Sequence, residues 1–169
     1  MNKAMRNLIR SIPVAALIAG SIFCAQPAQA ATTYESDSCS SSDNAYCFVL
    51  YYNSVGSTTN SGQGACYVSN TSVPDHYGYS NGATLVRLVF GYGKLPGGTC
   101  KSESGDGITL KNNAASIVNG ECGVTNRVYF SSGYQGISQA SIATCGGYGG
   151  LAETLVPELK NENASHKRY

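Results

Sequence analysis

Apolar and β-branched residues occur in short runs along this chain, and Gly, Asn and Ser punctuate the runs. The runs are rich in Tyr, Val, Ile and Thr, which favour the pleated, half-buried surface of a β-sheet. Strands are predicted at 46–53, 64–69, 84–92, 107–110, 116–119, 127–132 and 136–142. No long stretch has the apolar spacing of an amphipathic helix. The pattern predicts an all-β fold arranged as a β-sandwich.

The segments between the predicted strands carry turn and loop signals. Residues 31–38 are expected to form a loose leader, and residues 73–82 and 93–107 are expected to form long loops. Only 151–160 is predicted as a short helix, and Pro157 limits its length because proline lacks the backbone N–H that a helix interior needs. No segment has the composition of an interdomain linker, so a single domain is expected.

The first thirty residues have the three parts of a secretory signal. A basic start precedes an apolar run too short to span a bilayer, and alanines occupy the small-residue positions before a cleavage site after Ala30. We therefore expect a signal peptide at 1–30 and a secreted, extracellular domain at 31–169. A lipoprotein with its lipid on Cys24 is disfavoured because Phe23 is too large for the preceding position. No later apolar stretch is long enough to cross a membrane.

Charge excludes one large class of partners. The three basic residues of the first thirty leave 8 of the 11 Lys and Arg against all 10 Asp and Glu, so the mature domain has a net charge of −2. A chain with so few charges has no electrostatic footprint for nucleic acid or for acidic lipid. The basic residues at 166–169 are expected to be a solvated terminus, and the domain is expected to be a monomer.

Six cysteines follow position 30, and an even number in an exported chain predicts three disulfides. Six cysteines allow fifteen pairings, so other connectivities stay open. The favoured pairs are Cys39–Cys47, Cys66–Cys100 and Cys122–Cys145. The first closes a short polar loop, the third ties neighbouring strands, and the second pair is what remains. A zinc site is disfavoured because no CxxC spacing occurs and both histidines, His76 and His166, stand alone.

One short polar phrase occurs twice in the second half of the chain. Asn112-Asn113-Ala114-Ala115-Ser116 is matched by Asn161-Glu162-Asn163-Ala164-Ser165. The segments 47–57 and 126–138 also match, since each is an apolar strand that ends in aromatic residues before a Gly turn. The chain therefore contains two copies of one unit, at about 46–119 and 126–169, with a longer insertion in the first.

The second copy contains an aromatic corner. Tyr129, four further residues, Tyr134 and then Gly136 resemble the corner of the βγ-crystallin Greek key, and the repeated phrase resembles the paired calcium motif of that family. More narrowly, the mature chain resembles the secreted actinobacterial proteins related to the Streptomyces metalloproteinase inhibitor, through Cys39, Cys47, "LYYNS", "NNAAS", "VYFSSGYQG" and "NENASH". The resemblance implies a disulfide-stabilised, βγ-crystallin-like sandwich of two Greek keys.

The repeated phrase has two interpretations. As the calcium motif of that family, it implies a ligand set drawn from both copies: Asn112, Asn113, Ser116, Asn161, Glu162 and Ser165. Calcium favours several oxygens with carboxylate charge, and Glu162 is the only carboxylate in the two copies. The alternative is structural, because Asn and Ser side chains cap backbone groups in tight turns. No cofactor is required, and weak calcium binding is the alternative to test.

The chain lacks the residue sets of common enzymes. Asp75 directly precedes His76, and neighbouring residues of an extended chain point opposite ways, so this carboxylate is poorly placed to orient the imidazole. Neither G-x-S-x-G, HExxH nor a phosphate loop occurs, and paired cysteines leave no thiol nucleophile. We therefore expect a protein that is not an enzyme, with His76 in a surface loop.

The resemblance implies a secreted inhibitor whose partner is an extracellular metallopeptidase. A thermolysin-like metallopeptidase cuts before a bulky apolar residue, so the inhibitory loop is expected to offer one under constraint. The candidate residues are Lys94, Leu95 and Pro96, in a loop that Cys100 anchors. Leu95 would enter the apolar pocket and Pro96 would stiffen the chain. The alternative is an ordinary hairpin loop with a Gly-rich tip.

A second class of function is an extracellular binding or structural module. The tyrosines expected to be exposed and to stack on sugars or line a partner surface are Tyr77, Tyr79, Tyr92 and Tyr148. A third class is a small secreted toxin on the same scaffold. An inhibitor forms a stoichiometric complex with a peptidase and resists cleavage, whereas a module does not slow the enzyme.

Overall fold

The computed structural model describes residues 30–40, 47–93, 100–143 and 150–169. Strands and turns account for the regular structure there, and none of these residues forms a helix. The strands are β1 Ala31–Glu35, β2 Asp37–Ser38, β3 Phe48–Asn53, β4 Gln63–Ser69, β5 Gly78–Asn81, β6 Thr84–Leu88, β7 Ser116–Asn119, β8 Thr125–Ser131, β9 Gln135–Ile142, β10 Ala152–Thr154 and β11 Ser165–Arg168. The predicted all-β, disulfide-stabilised sandwich class is confirmed.

The strands form three sheets, each with a central strand. β3 lies in the middle of a five-stranded sheet, ordered β10-β7-β3-β4-β2, and pairs antiparallel with β4 and β7. β8 lies in the middle of a three-stranded sheet, ordered β11-β8-β9, and pairs antiparallel with both neighbours. The third sheet, ordered β1-β6-β5, combines the leader with the insertion of the first unit.

β3 is buried on both faces, and its alternate residues supply two apolar clusters. Phe48 and Leu50 lie in the main core, whereas Val49 and Tyr51 lie in a second cluster with Cys66. The period of two along a strand explains this division, because successive side chains point to opposite faces. The second cluster contains the cysteines of two disulfides. The cross-links therefore lie on the face of the sheet opposite the main core.

The two units have the same local topology. In each, the first strand (β3 or β8) is flanked by the strand that follows it (β4 or β9) and by the strand that begins at the serine of the repeated phrase (β7 or β11). The register shifts at the same place, between Tyr51 and Asn53 in one unit and between Tyr129 and Ser131 in the other. The internal repeat of the sequence is therefore a repeat of structure.

The two units also pair with each other through their backbones. β10 of the second unit pairs antiparallel with β7 of the first, and Val73 of the first unit bridges His166 of the second. The five-stranded sheet therefore includes one strand of the second unit, and an isolated bridge joins His166 to the first unit. The interpretation of the units as Greek keys, with bounds of about 46–119 and 126–169, stays a prediction.

Two segments that were expected to be loops contain strands. The expected leader 31–38 forms β1 and β2, which pair parallel with β6 and β4. The expected loop 73–82 contains β5, which pairs antiparallel with β6. Both predictions were wrong because β1 and β5 are largely exposed and show no apolar alternation. Pairing with strands that are distant in sequence determines their conformation, and local pattern does not report it.

Two predictions in the second half of the chain were also wrong. The expected helix at 151–160 is replaced by β10, Ala152–Thr154, which pairs with β7 and leads into a turn. The expected strand at 107–110 is reduced to an isolated bridge between Val89 and Thr109. In both places the pairing available in the folded chain overrides the propensity of a short segment.

The predicted disulfides Cys39–Cys47 and Cys66–Cys100 are confirmed. Cys122 is also disulfide-bonded, and Cys145, its predicted partner, lies outside the described residues. The predicted signal peptide also lies outside them, apart from its last residue. Over the ranges that are described, no helix has the length and apolarity needed to cross a membrane.

Candidate functional site

The two copies of the repeated phrase are hydrogen-bonded to each other. The backbone N–H of Asn112 donates to the Asn163 carbonyl at 2.7 Å, and the N–H of Asn161 donates to the Ala114 carbonyl at 2.8 Å. Each bond joins the first residue of one copy to the third residue of the other. Asn112 and Asn161 both have a φ of 61°, in the left-handed region that Asn tolerates better than most residues. The repeat therefore has a structural reason that requires no ion.

Other predicted calcium ligands use their side chains on the backbone. Ser116 Oγ donates to the Asn53 carbonyl at 2.6 Å, and Ser165 Oγ donates to the Ser131 carbonyl at 2.7 Å. Both serines are buried, and both carbonyls belong to the last residue of a central strand. Asn113 Nδ2 donates to two carbonyl oxygens of its own turn, at 2.9 and 3.1 Å. These contacts support the capping interpretation of the phrase.

A pocket of about 330 Å³ lies beside the first copy of the phrase. Its lining residues are Tyr52, Asn53, Ser54, Asn113, Ala115, Lys160 and Asn161. The pocket brings together the predicted ligands Asn113 and Asn161, but the predicted carboxylate of Glu162 is not in the lining. The lining contains an ammonium group and no carboxylate, whereas calcium prefers oxygen ligands with negative charge. These residues therefore fit a calcium ion poorly.

The second copy of the unit shows the same arrangement with a lysine. Lys111 and Lys160 each directly precede the first Asn of a phrase. Lys111 Nζ donates to Ser132 Oγ at 2.9 Å and to Asp75 Oδ1 at 3.0 Å. Ser132 follows the last residue of β8, as Ser54 in the pocket follows the last residue of β3. The lysine before each copy of the phrase therefore lies at the end of the central strand of the other unit: Lys160 near the end of β3 and Lys111 near the end of β8.

Calcium is expected to bind weakly because of these lysines. Titration of the EDTA-stripped domain 31–169 should give no heat from a site with a Kd below about 1 mM, the weak limit for extracellular calcium modules. Lys160→Asp removes the ammonium and supplies a carboxylate, so it should strengthen calcium binding. Lys101→Asp makes the same charge change at an exposed residue outside the pocket and should not. Tight binding by the unchanged domain would show that the lysines do not exclude the ion.

A buried chain of three polar side chains was not predicted from the sequence. Asn163 Nδ2 lies 2.8 Å from His76 Nδ1, and His76 Nε2 lies 2.8 Å from His166 Nδ1. His166 Nε2 lies 3.1 Å from the Thr71 carbonyl oxygen. All three side chains are fully buried, so the expectation that His76 lies in a surface loop was wrong.

The hydrogen bonds of this chain run in one direction. Asn163 Oδ1 accepts a hydrogen bond from the N–H of Ala114 at 2.9 Å. The other end of the amide, its NH₂ group, therefore faces His76. An amide NH₂ only donates and a carbonyl only accepts, so His76 Nδ1 accepts and His166 Nε2 donates to Thr71. His76 Nε2 must then donate to His166 Nδ1. Both imidazoles are therefore neutral, with the proton on Nε2.

Burial and this hydrogen-bond direction disfavour a charged imidazole. Burial lowers the pKa of His166 to about 4, and its bond to the Thr71 carbonyl opposes part of that shift. Burial also lowers the pKa of His76 well below its ordinary value, with the neighbouring His166 as the second cause. A proton added at Nδ1 of either ring would face a donor N–H. Neither imidazole of the buried polar chain can therefore accept a proton unless a hydrogen bond breaks.

The structural repeat supplies an apolar counterpart for each member of this chain. The N–H of His76 donates to the Ala164 carbonyl at 2.8 Å, and the N–H of Leu155 donates to the Ala115 carbonyl at 3.0 Å. Because these alanines occupy the same place in their phrases, Leu155 is the counterpart of His76. Both side chains are buried.

The other two counterparts follow from positions in the repeated phrase. Ala114 corresponds to Asn163, and Ile117 corresponds to His166. All three apolar counterparts belong to the main core. At these three corresponding positions, one half of the molecule therefore has packed apolar side chains and the other half has hydrogen-bonded polar side chains. The polar version is a property of this sequence and is not a requirement of the topology.

Cys66 holds both ends of the segment 92–99. Cys66 and Gly91 exchange backbone hydrogen bonds at 2.9 and 3.1 Å, and a disulfide joins Cys66 to Cys100. Cys66 is fully buried in β4, so both ends are fixed to an inner strand. The predicted inhibitory residues within this segment, which lie outside the described residues, are Lys94, Leu95 and Pro96.

Three of the four tyrosines that were expected to be exposed are exposed. Tyr77 is 45%, Tyr79 is 49% and Tyr92 is 37% exposed, and Tyr148 lies outside the described residues. The guanidinium carbon of Arg87 lies 3.2 Å from the centroid of the Tyr77 ring. One face of the Tyr77 ring is therefore covered by a cation, so that face is not free to stack on a ligand.

The fold and these contacts define an all-β, disulfide-stabilised domain built from two similar units that are joined by backbone hydrogen bonds. Comparison with protein-family models, with curated proteins and with solved structures found no match in any of the three. The resemblance to the βγ-crystallin and metalloproteinase-inhibitor families therefore stays a prediction. The functional argument rests on the residues of this chain.

Proposed function

We propose that the protein is a secreted inhibitor of extracellular metallopeptidases. The observation that supports this proposal is the attachment of both ends of the segment 92–99 to Cys66. A peptidase inhibitor needs a loop that is ordered before binding, because an ordered loop loses less conformational entropy in the complex. A pair of backbone hydrogen bonds at one end and a disulfide at the other restrict the loop from both sides.

The inhibitor blocks the cleft and performs no chemistry of its own. Leu95 fills the apolar pocket of the peptidase, Pro96 restricts the backbone that follows it, and Lys94 lies on the other side of the bond at risk. If that bond is cut, both new ends remain attached to Cys66. The cut loop therefore does not leave the cleft as two separate products do, and the complex resists turnover.

The first test is inhibition of a thermolysin-like metallopeptidase by the oxidised domain 31–169, which should form a stoichiometric complex. Leu95→Gly should raise the inhibition constant about 30-fold or more, because truncation of a buried anchor residue typically costs at least about 2 kcal/mol. Leu151→Gly removes the same side chain from a site that is 74% exposed and lies outside the loop. This control should leave the inhibition constant unchanged.

The outcomes distinguish the role of Leu95 in the loop from the inhibitor function of the whole domain. Unchanged inhibition by Leu95→Gly would remove this residue from the proposal and leave inhibition standing. No inhibition by the folded, unchanged domain would remove the inhibitor function itself. The second candidate function would then apply, an extracellular binding or structural module. The exposed rings of Tyr79 and Tyr92 favour that alternative.

A further inference from the structure

The outer face of the sheet β11-β8-β9 carries two cations and several aromatic rings. Arg127 and Tyr129 occupy alternate positions of β8, and Lys167 of β11 lies directly opposite Arg127. Tyr169 lies opposite Thr125, with which it exchanges backbone hydrogen bonds at 2.9 and 3.3 Å. Side chains alternate along a strand, and directly opposed residues share a face. These residues therefore present their side chains on one side of the sheet.

The rings and one cation of this face are in contact. Lys167 Nζ lies 4.8 Å from the centroid of the Tyr169 ring and 5.6 Å from that of the Tyr134 ring. Both distances are within the range in which a cation is attracted to an aromatic face. The Tyr134 ring meets the Tyr129 ring edge to face, with 6.0 Å between their centroids. The aromatic part of the face is therefore continuous with its charged part.

An open pocket of about 520 Å³ lies on this face. Its lining residues are Thr125, Arg127, Tyr129, Ser138 and Tyr169. Arg127 Nη1 donates to Ser138 Oγ at 3.0 Å, which positions the guanidinium and leaves other N–H groups of its five-donor fork for a ligand. Every other lining side chain carries a hydroxyl. The pocket therefore combines one delocalised cation with four hydroxyl groups, of which those of Tyr129 and Tyr169 are hydrogen-bonded to each other.

Neither cation of the face is neutralised by an acid within the described part of the chain. The ion pairs found there join Lys111 to Asp75 and Arg168 to Glu121, and no Asp or Glu side chain lines the pocket. The mature domain has two more acidic than basic residues. Two cations without acidic partners on one face are therefore a local excess of positive charge on a slightly negative protein. Such an excess favours an anionic ligand.

We propose that this face binds an acidic polysaccharide. Arginine binds carboxylate, sulfate or phosphate groups through its planar fork, and lysine binds them as a point charge. Tyrosine rings pack on the apolar faces of sugar rings while their hydroxyls remain available for hydrogen bonds. Tyr169 is the most exposed ring of the set and is placed for this packing. The ligand that uses both the rings and the cations is a sugar chain with anionic substituents.

The site is separate from the proposed inhibitory loop. The pocket lies on the sheet around β8, whereas both ends of the loop are attached to β4 in the five-stranded sheet. Peptidase inhibition is measured without polysaccharide, and polysaccharide binding is measured without peptidase. Failure of one proposal therefore leaves the other intact.

The probes are polygalacturonate, dextran sulfate and a poly(glycerol phosphate) that carries sugar substituents, each titrated into the domain 31–169. At least one should bind, the preferred one identifies the anionic group, and added salt should weaken binding because salt screens charges on an exposed face. Neutral dextran should bind at least about tenfold more weakly. No binding of any acidic probe would overturn the proposal, and so would equal binding of neutral dextran or of duplex DNA.

Variants assign the binding to this face. Arg127→Gln and Lys167→Gln should each weaken binding about tenfold, and Tyr169→Ala should weaken it by a similar factor without changing its dependence on salt. Lys101→Gln removes one charge from an exposed residue outside the pocket and should leave binding unchanged. Thermal unfolding of each variant confirms that it is folded. Equal losses in all four variants, or none in the first three, would place the binding elsewhere.

Discussion

Acidification from about pH 7 to pH 4 is expected to remove about 3 kcal/mol of stability through His166 alone. The unfolded chain binds a proton at His166 with the ordinary pKa of about 6.5, whereas burial lowers the pKa in the fold to about 4. Between these two values the unfolded state binds more protons than the folded state. The contribution is therefore fully present above about pH 6.5 and is lost as the pH falls toward 4.

His76 acts in the same direction as His166. Burial lowers its pKa well below the ordinary value, so it also favours the unfolded chain as the pH falls. The two rings share a hydrogen bond of 2.8 Å, so protonation of either one disrupts the partner as well. We therefore expect the loss over this pH range to exceed the contribution of His166 alone.

A variant copied from the other half of the molecule tests this expectation. Its substitutions install the apolar counterparts of the polar chain: His76→Leu, Asn163→Ala and His166→Ile. At pH 7 it should be less stable by about 1–3 kcal/mol, because the N–H of Ala114 loses its acceptor. Its stability should nevertheless change much less between pH 7 and pH 4 than that of the unchanged protein. Urea unfolding at four pH values in this range measures, for each protein, the slope of the unfolding free energy against pH.

The comparison isolates the histidines because both proteins contain the same carboxylates. Carboxylates that titrate between pH 4 and pH 5 contribute equally to the two slopes, so the difference between the slopes belongs to the polar chain. If the variant retained the full pH dependence of the unchanged protein, the acid sensitivity would come from other groups. The buried chain would then have no role as an acid-sensitive element.

Strands with a run of strand-favouring residues were predictable, and exposed strands without such a run were not. β7 was predicted with the bounds 116–119 that it has, and β3 and β9 were predicted to within two residues, because each segment contains residues that favour strands and lies near turn residues. β1 and β5 are exposed and are determined by their pairing with β6. That information lies in distant residues, so no local pattern reports it.

The buried polar chain could have been found from the repeat itself. Alignment of the two phrases places His166 opposite Ile117 and Asn163 opposite Ala114. A polar residue at a position that is apolar in the other copy indicates a buried polar group with a partner. His76 could not be placed in this way, because the insertion of the first unit obscures its correspondence to Leu155. Only the backbone hydrogen bonds from His76 and Leu155 to the two phrases reveal that correspondence.

Removal of the Cys66–Cys100 disulfide is expected to cost about 4 kcal/mol of stability and to weaken the proposed inhibition as well. The bond joins residues 34 apart in sequence, and a cross-link lowers the entropy of the unfolded chain by an amount that grows with the logarithm of this separation. The Cys39–Cys47 bond joins residues 8 apart, for which the same relation gives about 2.5 kcal/mol. Both bonds lie in the same apolar cluster. Replacement by alanine therefore perturbs similar surroundings in the two cases.

Only one of these disulfides holds the loop 92–99, which makes the other a matched control. Cys66→Ala/Cys100→Ala frees one end of that loop and should raise the inhibition constant about tenfold or more, because the loop must then be ordered on binding. Cys39→Ala/Cys47→Ala should leave the constant within about twofold, although it also destabilises the fold. Inhibition is measured at a temperature at which both variants are folded by circular dichroism. If both variants lost inhibition equally, the loss would follow general destabilisation. If neither lost it, the attachment of the loop to Cys66 would not be the basis of the proposed inhibition.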